Sequence, residues 1–222
     1  ELSIRRRGVY FRGSGLAVDT EGQTSIGGLF AAGDCATVSG GIAGASVLGH
    51  VAGEGVATYL SKKNGARPEV DMAAADAVRE QAIAHLQRDQ EQSLSWKQFE
   101  DKTRQTVTDY VGVRRNAKGL ELALDTLRAL AIREPDLKAD DLHGLMRVHE
   151  STSIRLNAEL MAASSLVRTE TRTGSSHRRL DYPETKDPEW RKFVLVQRGE
   201  DGPAISTLSC EQPLSAAFTR LT

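Results

Sequence analysis

The run Gly27-Gly-Leu-Phe-Ala-Ala-Gly-Asp34 limits the fold of this chain more than any other feature. It is followed closely by Gly40-Gly-Ile-Ala-Gly-Ala-Ser-Val-Leu-Gly49. Leu29–Ala32 suit a short buried strand, Gly33-Asp34 a tight turn, and residues 42–61 a helix with glycines at 44, 49, 53 and 55. Each interior glycine costs about 1 kcal/mol of helix propensity relative to alanine, so a helix with four predicts close packing against a sheet or a ligand. A helix N-terminus offers unpaired N–H groups and a partial positive charge. A carboxylate ending the strand accepts hydrogen bonds from a sugar or ribityl hydroxyl. Asp34 can equally be read as an N-cap of the helix that follows.

The rest of the chain reads as mostly helical. Residues 1–34 are expected to form strands, with a hairpin turn at Glu21-Gly22. Lys62-Lys63-Asn64-Gly65 ends the glycine-rich helix and Pro68 breaks the chain. A further helix is expected over 71–91, interrupted at Ser93-Leu-Ser95. Apolar residues then recur at three-to-four spacing over 96–111, 117–133 and 139–168, which predicts an antiparallel three-helix bundle. Phe193–Gln197 and Ala204–Leu208 flank Gly199-Glu-Asp-Gly202, a hairpin pattern with an Asp-Gly turn. The expected fold class is α+β: the end of an α/β domain, strands plus a Gly-rich helix, then the bundle and a C-terminal β-hairpin. The expected units are 1–67, a connecting helix 68–95, the bundle 96–175, and 176–222.

Two distant segments carry a family resemblance. Arg168-Thr-Glu-Thr-Arg172 is followed by His177-Arg-Arg-Leu-Asp181-Tyr-Pro and by Asp187-Pro-Glu-Trp190. With Gly28–Asp34 and the three helical repeats between them, this resembles the C-terminal portion of succinate dehydrogenase and fumarate reductase flavoprotein subunits. Adenylylsulfate reductase alpha subunits and L-aspartate oxidases are relatives. The resemblance implies FAD as cofactor in an intact oxidoreductase that passes a hydride between a small-molecule substrate and flavin. It implies cofactor contacts at Gly33, Asp34, Gly44, Ala45, Ser46 and Val47. It places Tyr10 and Arg12 where the substrate side begins. The Gly-x-Gly-x-x-Gly fingerprint that would hold the pyrophosphate is missing, since Gly13-Ser-Gly15 lacks the third glycine. The chain, opening at Glu1, is therefore expected to be the C-terminal part of a longer enzyme, inactive alone and dependent on the N-terminal FAD-binding part. Family members that reduce fumarate carry His-Gly-Ala-Asn-Arg before the glycine-rich helix; here Cys35–Ala43 contains neither arginine nor histidine.

The resemblance also implies a partner, an iron-sulfur electron-transfer subunit. The expected location is cytoplasmic, peripheral to the membrane through that partner. An alternative reading makes the helices an interaction module that docks an electron-transfer subunit, with no flavin binding of its own. A net charge of −1 argues against a nucleic-acid partner, and against a tRNA-modifying flavoprotein with a basic helical face. No apolar run approaches the roughly 20 residues that span a bilayer. The two cysteines, Cys35 and Cys210, form no metal motif, and His149-Glu150 lacks the second histidine of a zinc helix, so no metal is expected. His50 reads as a packing histidine and Trp190 as a core anchor. Arg168, Glu170 and Arg172 read as ion pairs pinning a helix end.

Overall fold

Leucines and alanines at helical spacing pull three of the helices of this chain together around two adjoining apolar clusters. The computed structural model describes residues 14–36, 41–63, 69–87, 93–172, 177–200 and 202–218. It mixes helix and strand in the α+β manner. Helices α1 (Gly41–Lys62), α2 (Met72–Ile83), α3 (Trp96–Thr106), α4 (Ala117–Ile132) and α5 (Leu142–Val167) follow in order. The paired strands are short at first. β1 (Leu94–Ser95) runs parallel to β3 (Leu137–Lys138), and β2 (Arg114–Arg115) parallel to β4 (Arg178–Arg179). β5 (Lys192–Arg198) and β6 (Pro203–Ser209) form an antiparallel pair in which Arg198 faces Pro203.

Local chemistry sets the helix starts. Asp71 accepts a hydrogen bond from the Ala74 amide, Asn116 from Gly119 and Asp141 from Gly144, at 3.1, 2.8 and 2.7 Å. Each cap satisfies one of the amides that have no partner within the helix. The cap at Asp141 is why α5 begins at Leu142 and not at residue 139. α2 tightens into a 3-10 turn, Ala84–Gln87, well before residue 91; residues 88–92 lie outside the described ones.

The α4–α5 seam is made of Leu120, Ala123, Leu124 and Leu127 against Ala158, Ala162 and Ala163, all buried, with Val111 beside them. Alanines on α5 let the two helix backbones approach. Ile205 of β6 packs on this cluster, so the hairpin is fixed to the helices. The second cluster joins Phe99, Leu137, Ala139, Leu145 and Val148. Five residues of the expected apolar stripes face outward instead: Leu122, Ile132, Leu142, Met146 and Leu156. Leu122 lies two residues from Leu120, about 200° around an α-helix, which turns it away from the seam.

The N-terminal strands differ from expectation. Residues 1–13 lie outside the described ones. Within 14–36 the backbone makes single bridges, Leu16 with Ala36 and Gln23 with Phe30, and among the described residues no extended ladder. Glu21-Gly22 does sit in a turn, built by the Asp19 carboxylate accepting from the Glu21 and Gln23 amides at 2.9 Å. Leu29 is 42% exposed, so the Leu29–Ala32 run is only partly covered. A fully buried strand needs neighbours on both sides, and among the described residues only 22–24 runs beside it.

Helix α1 shows the same incompleteness. Only Ala52 and Gly55 of its residues are buried, while Ile42 is 90% exposed. Its closest packing is at Gly55, where an added Cβ would sit 2.3 Å from the Glu21 carbonyl oxygen. The other described glycines of α1 do not all serve close approach: Cβ atoms at Gly49 and Gly53 would meet nothing within 4 Å. Val47 and Leu60 are exposed on it as well, and so much uncovered apolar surface on one helix calls for further packing neighbours.

Candidate functional site

The turn after Leu29–Ala32 is a single 3-10 turn, Gly33-Asp34-Cys35, closed by the Ala36 amide donating to the Gly33 carbonyl at 3.0 Å. Gly33 is buried with φ of +73°, a backbone conformation that L side chains rarely adopt. A Cβ there would also lie 3.3 Å from the Ala45 Cβ. The turn and the first turns of α1 are thus brought together at Gly33 and Ala45, two of the residues that the sequence singles out. Asp34 and Ala45–Val47 are exposed, and Gly44 is half-buried. Asp34 lies in its own turn well ahead of Gly41, so it is not the N-cap of α1. Among the described residues no hydrogen bond to its carboxylate is formed. Tyr10 and Arg12 fall outside the described residues, as does the linker stretch 37–40.

Behind this turn lies an apolar cavity of about 200 Å³. Val18, Ala31, Ala32, Ala36, Leu48 and Val51 line it, and Leu214 supplies a wall from the far end of the chain. Nothing in the local sequence around Leu214 announces this role.

The second constellation sits where α5 ends. Alternation along β2 and β4 turns Arg115 and Arg179 inward and Arg114 and Arg178 outward. Arg179, 2% exposed, donates from Nη1 to the carbonyls of Ser165, Leu166 and Arg168 at 2.8, 3.0 and 3.0 Å. These are carbonyls at the end of α5, which lack partners within the helix. Its other nitrogens grip both oxygens of Asp181 at 2.8 Å, and Asp181 accepts from the Ala117 amide at the start of α4. One arginine–aspartate pair therefore ties the end of α5 to the beginning of α4. Arg179 holds the Asp181 carboxyl well below its ordinary value, at about 2. Burial lowers Arg115 to about 10, helped by the like charge of Arg179. Arg115 donates to Ser165 Oγ at 2.5 Å.

Glu170, fully buried, accepts from Arg168, from Arg172 through two nitrogens and from the Lys186 amide, at 2.7 to 3.0 Å. Burial pushes its carboxyl up, but the hydrogen bonds from Arg172, the Lys186 amide and Arg168 together outweigh this and leave it lowered. Arg172 reaches on to Asp187 at 2.7 Å. Trp190 is half-buried against the Arg168 guanidinium, 5.1 Å from ring centre to Cζ, and donates from Nε1 to Thr169 Oγ1. It stacks on a cation and is not sealed in an apolar core. His177 is buried among Arg115, Arg168 and Arg179; burial first and these charges next hold it down to about 4. His50 is exposed beside Glu54, 3.5 Å away, and is not packed. The sequence marks the arginine-rich signature but not the inward pairing of Arg115 with Arg179. That pairing requires β2 and β4 to meet across 64 residues.

A family model described as Fumarate reductase flavoprotein C-term matches residues 100–217, more than half of the chain. The chain belongs to this family. It is 29% identical over 212 residues to the fumarate reductase flavoprotein subunit of Haemophilus influenzae, covering 87% of the chain and 34% of that protein. It is 30% identical over 197 residues to one subunit of the fumarate reductase (CoM/CoB) of Methanothermobacter marburgensis, covering 83% and 34%. Adenylylsulfate reductase from Archaeoglobus fulgidus superimposes with a TM-score of 0.75 at 25% identity, over 84% of this chain and 32% of that one. The chain thus spans about a third of the length of these relatives. The matched region covers α4, α5, the arginine-rich clamp and the hairpin, together with most of α3. Among the described residues no helix is long and apolar enough to cross a membrane, and no cluster of metal-ligating side chains is present.

Proposed function

We propose that this chain is the C-terminal part of an FAD-dependent oxidoreductase, contributing one wall of the flavin site and the helical unit beside it. The observation that carries the reading is the Gly33–Ala45 contact. A positive-φ glycine, which a side chain would force off Ala45, sets an exposed aspartate next to the amide-rich start of a helix. FAD would supply the hydride chemistry, exchanging a hydride with a small-molecule substrate. Asp34 would accept hydrogen bonds from ribityl hydroxyls. Amides of Gly44, Ala45, Ser46 and Val47 would face the negative charge that develops on the reduced ring. Tyr10 and Arg12 belong to the substrate side of the same proposal. The N-terminal FAD-binding part of the protein would cover the exposed faces of α1 and complete the site; without it the chain would be inactive. Electrons would pass onward to an iron-sulfur subunit, with the assembly cytoplasmic and peripheral to the membrane. This reading takes α3–α5 as an antiparallel three-helix bundle and keeps the divisions 1–67, 68–95, 96–175 and 176–222.

The test uses the full-length protein. A charge-assisted hydrogen bond contributes about 1.5–3 kcal/mol, so Asp34→Ala is expected to weaken flavin binding by about 10- to 150-fold. Equilibrium dialysis with flavin fluorescence measures it. Unchanged affinity would remove Asp34 from the site, and a full-length wild-type protein without flavin would sink the proposal.

A further inference from the structure

The described helical unit and the flavin-side segment share almost no core. Neither apolar cluster contains a residue from 14–63, and α2, which lies between the two parts, buries none of its residues. Yet the C-terminal turn reaches across. After β6, the Gln212 amide donates to the Ser209 carbonyl at 3.0 Å, and Pro213 leads into a 3-10 turn, Leu214–Ala217. The strand pairing runs on by one bond beyond β6, and a single side-chain bond ties the turn itself back to β5. The Cys210 amide donates to the Arg191 carbonyl at 3.1 Å, and Gln197 Nε2 donates to the Ala217 carbonyl at 3.5 Å. The hairpin in turn is seated on the α4–α5 seam through Ile205. From this platform Leu214 joins Val18, Ala31, Ala32, Ala36, Leu48 and Val51 in lining the cavity.

We propose that Leu214 is a positioning residue: the C-terminal turn straps the flavin-side segment to the helical unit and holds the Gly33-Asp34 turn in place. Leu214 lines the same cavity as Ala31 and Ala32, these residues lead directly into Gly33, and a Cβ on Gly33 would press on Ala45 near the start of α1. The pull is apolar and short-range, so it needs a branched or flexible hydrocarbon side chain at 214 and fails with a charged one. For the flavin the inference rests on the function proposed above. For the backbone it does not.

Two arms of one experiment separate these. In the full-length protein, amide hydrogen exchange is followed for Leu16, Ala31 and Ala36, whose amides donate to the Cys35, Gly22 and Gly33 carbonyls at 2.8, 2.9 and 3.0 Å. Leu214→Asp is expected to speed their exchange by about tenfold, the scale of losing a half-buried leucine. Leu214→Met should restore protection, and the β5–β6 amides should not change. Unchanged exchange in Leu214→Asp overturns the proposal. So does a loss of protection that spreads equally into α4 and α5, because Leu214 would then support the helices themselves. In the full-length protein, Leu214→Asp is expected to release flavin about tenfold faster, with Leu214→Met again restoring retention. If the wild-type protein holds no flavin, the function proposed above fails while the exchange arm still decides the strap.

Discussion

Arg179→Leu is expected to destabilise the protein by about 3–5 kcal/mol, chiefly the cost of leaving three carbonyls without their donor, since the Asp181 carboxylate left behind is partly exposed. Three carbonyls at the end of α5, those of Ser165, Leu166 and Arg168, would lose their donor, and Asp181 would lose its bidentate partner. Asp181 also receives the Ala117 amide, so the start of α4 would loosen with it. One offset works the other way: removing Arg179 relieves Arg115 of a like charge, although burial is the larger cause of its lowered value. At roughly 2–4 °C per kcal/mol for a chain of this size, the melting temperature should fall by about 6–20 °C. Arg179→Lys should rescue little, because a single ammonium cannot grip a carboxylate on two sides and fill three carbonyls as well. Circular dichroism melting of the three proteins decides it. A shift of under about 3 °C for Arg179→Leu would show that the clamp does not hold α4 to α5.

Acid should weaken the same region through His177, before the carboxylates begin to protonate. His177 is 6% exposed and faces Arg115, Arg168 and Arg179, so the folded protein keeps it neutral, with its value lowered from 6.5 to about 4. The unfolded chain binds the proton near 6.5. Between these values the unfolded state holds more protons, so stability rises with pH and is lost as pH falls. The contribution is fully present above about 6.5, falls between 6.5 and 4, and is spent below that. The whole effect is about 3 kcal/mol, and about 2 kcal/mol of it falls between pH 6.5 and 5. Asp181 behaves oppositely in origin but alike in sign. Its lowered carboxyl contributes stability that is lost only from 3.8 down to about 2. Urea unfolding of the wild type and of His177→Gln at pH steps from 7 to 4.5 isolates the histidine. The wild type should lose its margin over the variant as pH falls, and a margin constant with pH would refute the assignment.

The clamp and the flavin-side turn differ in how openly the sequence announces them. Gly33-Asp34 is written locally: an apolar run, a glycine that alone tolerates the left-handed backbone, and a glycine-rich helix close behind. The helices are equally local. Their apolar period, and caps such as Asn116 and Asp141, act over three or four residues, which is the range on which helical hydrogen bonding depends. Arg168, Glu170 and Arg172 could be read as a helix-end ion-pair group for the same reason. Their spacing of two excludes one shared helical face, and the structure sets all three beyond the end of α5 at Val167.

Tertiary structure alone decided which residues meet across distance. Arg114-Arg115 and Arg178-Arg179 look like two ordinary basic pairs until β2 and β4 align and turn Arg115 and Arg179 inward. Leu214 looks like a tail residue until the hairpin carries it to the cavity under the Gly33 turn. Outward-facing Leu122, Leu142 and Met146 read as core by period and are exposed, because a stripe wider than the seam cannot all be covered by the described neighbours. Periodicity, caps and turn residues are set by backbone geometry within one or two helical turns, and a single sequence records them. Contacts between residues 64 or more apart depend on how whole elements pack, and no local pattern encodes that.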